Sequence, residues 1–281
     1  MRSSIPSSEH RTVEQLKEHY EVEKELSSRL RNASKEERRH LYQSQYDELY
    51  KRIKHHPSLM RKNSPDDMKK AVHSQMLFLK NFLHPQTVFM EIGAGNCGLS
   101  FTVAKLVKKV FGIEVSTVIT ECADKPENFE LILYNGTDIP LPENSVSLAY
   151  SHQVMEHLHP DDAYEQLQNI YRVLLPGGSY VCITVNRLNG PHDISRYFDT
   201  EATGFHLKEY TVTELANLFK KIGFAKTTAY VGSHGLYVKI PLTLIRVFEF
   251  VLEVFPYSLR KFMASNKVFK ALLAVRLTGT K

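Results

Sequence analysis

The chain has 281 residues, with 36 Lys and Arg against 31 Asp and Glu, a formal net charge of +5, three cysteines and no tryptophan. Its 42% hydrophobic and 24% charged content excludes wholesale disorder and collagen-like or coiled-coil compositions. Cys97, Cys122 and Cys182 are odd in number and form no CxxC pair, which excludes a disulfide framework or a four-cysteine zinc site and leads us to expect a reducing, cytoplasmic setting.

The charge is unevenly placed. Residues 1–84 carry 17 basic and 12 acidic side chains, residues 85–235 carry 11 and 17, and residues 236–281 carry 8 and 2. An acidic centre between two basic flanks predicts three parts: a helical N-terminal extension or lid (1–84), a core (85–235), and a helical insertion with a final strand (236–281). The opening residues lack the apolar core of a secretory signal, and no run of 18 apolar residues is free of charge, so neither a leader nor a membrane-spanning helix is expected.

In chain order, Thr12-Val-Glu-Gln15 and Ser34-Lys-Glu-Glu37 are capping boxes that predict two helices. The first runs to about Leu30. The second ends before Pro57 and carries Leu41, Tyr42, Tyr46, Leu49, Tyr50 and Ile53 on one face. Tyrosines every four residues suit packing or a pocket wall. Ser64-Pro65-Asp66-Asp67 opens a third helix with Val72, Met76, Leu79, Phe82 and Leu83 as its apolar stripe. Then the pattern changes. Apolar runs at Val88–Ile92, 110–113, 131–134, 146–151, 180–185 and 225–231 alternate with helical stretches such as 163–174 and 213–221, which predicts a mostly parallel sheet covered on both faces. Residues 241–255 read as a helix whose charges, Arg246, Glu249 and Glu253, make one narrow polar stripe on an otherwise apolar surface. A basic segment with Arg260, Lys261, Lys267 and Lys270 follows, and 272–280 is the expected last strand.

The chemistry concentrates in a few segments. Val88-Phe-Met-Glu-Ile-Gly-Ala-Gly-Asn-Cys-Gly98 is an apolar strand running into Gly93, Gly95 and Gly98, with Glu91 just before the turn and a helix beginning near Leu99. Glycines there permit a tight turn and close approach of a ligand to the backbone. Glu114 ends the next strand 21 residues after Gly93, where an acid can bind the ribose hydroxyls of a nucleotide-like cofactor. A nicotinamide dehydrogenase would share this pattern. Two further features narrow it: the loop Asn135-Gly-Thr-Asp-Ile-Pro-Leu-Pro-Glu-Asn-Ser145, and the turn Tyr171-Arg-Val-Leu-Leu-Pro-Gly-Gly-Ser179.

At these residues the sequence resembles the class I S-adenosylmethionine (SAM)-dependent methyltransferases, most of all the type 11 methyltransferase-domain group, over about 85–235 and the final strand. The resemblance implies a Rossmann-like α/β fold with a seven-stranded sheet of order 3-2-1-4-5-7-6. It implies SAM as cofactor. Glu91, Gly93, Ala94 and Gly95 would sit at its methionine end, Glu114 and Val115 at the ribose, and Ser151 at the end of strand four over the methyl. Where the family often has an acid for the adenine amino group, this chain has Asn135. Its amide oxygen and the Gly136 and Thr137 amides are the expected contacts, with Asp138 the substitute in another loop register; Asn-Gly is equally a turn former.

Tyr150-Ser-His-Gln-Val-Met-Glu-His-Leu-His-Pro160 and Gly204-Phe-His-Leu-Lys-Glu-Tyr-Thr211 resemble metal-binding members of this superfamily, the small-RNA 2′-O-methyltransferases among them. Carried over, Glu156, His157 and His206 would hold a divalent ion, with Gln153 in place of a further glutamate. Alternatively, Glu156 and His157 hold the turn after strand four by hydrogen bonds. Without metal, a histidine is the natural general base for a hydroxyl; the candidates are His152, His157, His192 and His206. The leading expectation is methyl transfer to a small or lipid-like acceptor, oxygen favoured. A metal-assisted RNA methyltransferase and a non-catalytic SAM-binding protein are the alternatives. The 241–255 helix suits core packing, a hydrophobic substrate pocket, or peripheral membrane contact beside the basic segment. RNA is the less favoured partner, since the N-terminal basic residues are interleaved with acids.

Overall fold

The computed structural model describes residues 5–6, 9–62, 64–120, 125–264 and 266–281. Cys122 and the side chain of Lys267 lie outside these. Four helices come first: α1 (Val13–Asn32), α2 (Lys35–Arg52), α3 (Pro57–Lys62) and α4 (Pro65–Leu79). The core follows as β1 (Val88–Ile92), α5 (Gly98–Ala104), β2 (Lys109–Glu114), β3 (Phe129–Leu133), β4 (Val146–His152), α6 (Pro160–Val173), β5 (Leu174–Thr184), α7 (Val212–Ile222), β6 (Lys226–Ser233) and β7 (Leu236–Ile240). Helices α8 (Leu242–Glu253), α9 (Tyr257–Ala264) and α10 (Lys267–Leu272) then lead into β8 (Val275–Thr280).

Both capping boxes form, with Thr12 Oγ1 accepting from Gln15 N and Ser34 Oγ from Glu37 N. The short helix α3 carries no cap signal in the sequence and was not expected.

Among the described residues the sheet has eight strands in the order β3-β2-β1-β4-β5-β8-β6-β7. This is the expected order with one strand added. The segment read as the start of the helical insertion is instead β7, an antiparallel edge strand that hairpins onto β6. Strands β1 to β5 are parallel, and β8 runs antiparallel between β5 and β6. The Pro-Gly-Gly turn is absorbed into β5, where the register with β4 shifts between Val146 and Leu148. Successive side chains go to opposite faces: Met90, Ala149, Tyr180 and Cys182 join one core cluster, and Phe89, Leu148, Tyr150 and Val181 join the other. Helices cover both, as a buried parallel sheet requires.

The N-terminal helices are pinned across the carboxyl ends of the strands. Arg38 makes a bidentate pair with Asp162 of α6 at 2.6 and 2.9 Å, and the Tyr42 hydroxyl donates to the same carboxylate at 2.7 Å. Arg31 of α1 donates to the carbonyls of Ala202, Gly204, His206 and Leu207. It thereby gathers the loop that carries His206.

Candidate active site

A cavity of about 280 Å³ opens where β1, β2 and β4 end, beneath α2 and α4. Its floor is the turn after β1. Gly93 and Gly95 take φ of 73° and 54°, and Cys97 follows at 61°. A Cβ on Gly93 would lie 2.5 Å from Val154 Cγ2, so only glycine fits there, whereas Gly95 has open space. Gly93, Ala94, Gly95, Glu91, Glu114 and Val115 all line the cavity, so the structure brings together the residues expected for the methionine and ribose ends.

Glu114 is tightly held. Oε2 accepts from Gly95 N at 2.8 Å, and Oε1 accepts from Val115 N at 2.8 Å and Ser116 N at 3.1 Å. Burial raises its carboxyl above the ordinary range against these three N–H bonds. Glu91 accepts one hydroxyl bond, from Ser100 at 2.6 Å, and burial pushes its carboxyl up to about 8. Both acids of the cavity are thus raised by burial, Glu114 against three N–H bonds and Glu91 against one hydroxyl bond.

The other expected cofactor contacts lie elsewhere. Asn135 Oδ1 accepts from Thr137 N at 3.0 Å and Asp138 N at 2.9 Å, a side-chain turn that uses the acceptor read as the adenine contact. Asn135, Gly136 and Thr137 do not reach the cavity; Tyr134 lines it there. The alternative, Asp138, accepts from Asn135 Nδ2 at 2.7 Å. Ser151 is fully buried against Tyr180, 2.6 Å between the hydroxyls, because strand alternation turns it into the core.

Of the four histidines, His152 and His157 line the cavity. His157 Nδ1 lies 3.0 Å from the Phe205 carbonyl. A carbonyl only accepts, so Nδ1 carries the proton and Nε2 a lone pair. Burial lowers this imidazole to about 4. His206 stands behind it, ring centroids 4.9 Å apart, with Nδ1 2.7 Å from Glu209 Oε1. Burial opposes its protonation, but the Glu209 hydrogen bond and the Glu156 and Asp193 carboxylates raise it to about 9. His192 is tied into its own loop, with Nε2 2.9 Å from Asn189 Oδ1 and 3.1 Å from the Asn186 carbonyl. It does not line the cavity.

Among the described residues, two clusters bring three possible metal-ligand atoms within 4.8 Å of one another. Glu156–His157–His206 fits an ion. Glu156 is fully buried; Oε2 accepts from Thr184 at 2.7 Å and Oε1 has no partner. Both imidazoles commit Nδ1 to an acceptor, the arrangement that fixes a ligating histidine. His19–Glu23–His56 does not fit. The Arg11 guanidinium only donates, 2.7 Å from His19 Nδ1, and His56 Nδ1 accepts from Ser58 N. Both Nε2 atoms therefore carry protons toward Glu23.

Sequence reading missed the roof residues Ser58, Met68, Ala71 and Gln75, and the bonding partner Glu209. Tyr42, Tyr46 and Tyr50 do line the cavity, as one of the two readings of the tyrosine repeat had it.

The sheet order and the glycine turn beneath a buried acid define the class I methyltransferase fold. Residues 90–182 match the family model described as a methyltransferase domain, the type 11 group. It is 28% identical over 147 residues to a probable SAM-dependent methyltransferase of Mycolicibacterium smegmatis, covering 52% of this chain and 55% of that one. A similarly described protein of Mycobacterium tuberculosis is 26% identical over 157 residues, 54% and 55% of the two chains. The chain thus spans about half the length of the curated relatives it matches. Among solved structures, a Thermotoga maritima SAM-dependent methyltransferase, possibly acting on histamine, superposes with a TM-score of 0.52 at 18% identity, over 80% of this chain and 100% of the other. Phosphoethanolamine N-methyltransferase 1 of Haemonchus contortus gives 0.57 at 15% identity, over 88% and 50%. At these identities the two structures share a fold with this chain.

Proposed function

We propose that the chain is a cytoplasmic SAM-dependent methyltransferase acting on a hydroxyl of a small or lipid-like acceptor, assisted by a divalent ion. One observation carries this reading: the glycine turn, Glu114, His152 and His157 all line one roofed cavity. SAM supplies an electrophilic methyl group, so the residues have only to align an oxygen with it and take the proton. In the absence of an ion the Nε2 lone pair of His157 is suited to accept that proton, its Nδ1–H being given to the Phe205 carbonyl; with an ion bound, that lone pair ligates the ion instead. Glu156, His157 and His206 would hold the ion, which lowers the pKa of a bound hydroxyl. Tyr46 and Val72 line the roof, an apolar lining that suits a small acceptor better than a polynucleotide. The neighbours that methylate amines share only the fold, so an amine acceptor does not carry over from them.

The test is transfer from methyl-labelled SAM to phenols, fatty or polyketide acids, glycans and RNA, with metal analysis of the purified chain. We expect label on a small hydroxyl compound, slower transfer after chelation, and loss of bound metal in His206→Ala. Label on RNA alone would favour the nucleic-acid reading. SAM binding without transfer to any acceptor would favour a binding protein.

A further inference from the structure

Helix α8 leaves much of its apolar surface open to water. Its inner face buries Ile245, Glu249 and Leu252. Glu249 is buried and accepts from Asn186 Nδ2 at 3.0 Å, Val212 N at 2.8 Å and Thr213 N at 2.9 Å, so it caps the start of α7. Glu253 pairs with Arg187. The opposite face is apolar and open to solvent: Leu244, Val247, Phe250 and Val254 are 60 to 74% exposed. Helices α9 and α10 repeat the pattern. All three helices contribute to one inner cluster through Leu252, Ala264 and Phe269, and Phe262 and Val268 stay exposed.

We infer that the outward faces of α8, α9 and α10 seat on an anionic lipid surface. Charge selects this occupant. The two acids of residues 236–281 are both turned to partners in the fold, while Lys239, Lys261 and Lys270 of the same segment are exposed. Exposed apolar side chains in a segment with exposed lysines suit the headgroup boundary of an anionic bilayer. A second copy of the chain would oppose two segments that each carry 8 basic and 2 acidic residues. The helices lie on the bilayer and do not span it: α8 has 12 residues, about 18 Å of helix, against a hydrocarbon core of about 30 Å.

The experiment is co-sedimentation of the full chain with phosphatidylcholine vesicles, with and without phosphatidylglycerol. It reads binding, so its outcome is independent of the proposed chemistry. We expect anionic vesicles to bind at least about tenfold more tightly than neutral ones, and less so as salt rises. Phe250→Asp and Val254→Asp should each lose about tenfold; both sites are exposed, so folding is unaffected. Leu106→Asp, exposed on the core far along the chain, should change nothing. Equal binding to both vesicle types, or to neither, overturns the inference. So does a dimer in sedimentation equilibrium that Phe250→Asp converts to monomer while vesicle binding stays unchanged.

Discussion

Glu114→Gln separates a ligand-binding acid from a merely structural one. The wild-type carboxylate uses both oxygens as acceptors, for Gly95 N on one side and for Val115 and Ser116 on the other. Glutamine keeps the shape but has one acceptor. Either the Gly95 amide or the Val115–Ser116 pair must then face a donor. Leaving a buried donor without its acceptor costs about 1–3 kcal/mol, so the unliganded variant should lose stability in that range by urea titration. Ribose hydroxyls that donate to a carboxylate lose charged hydrogen bonds, so the calorimetric Kd for SAM should rise about 10- to 100-fold. If stability falls but SAM affinity is retained, Glu114 only shapes the glycine turn, and its assignment to the ribose is wrong.

Three further outcomes follow from the same geometry. Arg38→Ala strips the buried Asp162 of its bidentate partner and should cost about 3–5 kcal/mol of unfolding free energy; a loss under about 1 kcal/mol would show that the roof is held by other contacts. Gly93→Ala forces a left-handed φ and overlaps the stiff Val154, whereas Gly95→Ala meets only the backbone penalty of about 1–2 kcal/mol, so thermal melts should rank Gly93→Ala clearly below Gly95→Ala. Glu91 holds its proton to about pH 8 in the fold but releases it near the ordinary carboxyl value when unfolded, so it favours the folded chain less as pH rises between those values. The cationic methionine end of SAM should pull that proton off, and calorimetry at pH 7 in buffers of different ionisation enthalpy should register release of close to one proton, absent in Glu91→Gln.

Local chemistry was legible in the sequence and tertiary choices were not. The capping boxes and the glycine turn are set by residues within four positions of one another, so reading them requires no knowledge of the fold. Strand β7 escaped notice because its turn is His234-Gly235, with φ of 53° and 88°. This is a two-residue hairpin turn in which histidine stands where asparagine usually signals it. Its Leu236 and Val238 are exposed on the sheet edge, so no burial contrast marks a period of two. Asn135 left two readings open, because a residue suited to recognise adenine is equally suited to bond its own backbone, and its Oδ1 accepts from Thr137 N and Asp138 N in the structure. For the 241–255 helix, periodicity identified the polar stripe correctly. That Glu249 of this stripe is buried depended on Asn186 and the start of α7, groups far away in sequence.

The two basic flanks, similar in excess charge, are used differently. In the N-terminal flank several cations are matched internally. Arg38 meets Asp162, Lys35 and Arg39 meet Glu165, Arg29 and Arg52 share Glu25 and Glu48, and Arg31 meets backbone carbonyls. Arg38, Lys35 and Arg39 thereby tie the roof to α6 of the acidic core, and cations so engaged are poorly placed to follow a phosphate backbone. In the C-terminal flank the acids turn to partners in the fold and lysines remain at the surface. A net charge averaged over the chain conceals this division: cations of one flank pair with the core, and the other flank keeps exposed lysines beside an exposed apolar helix face.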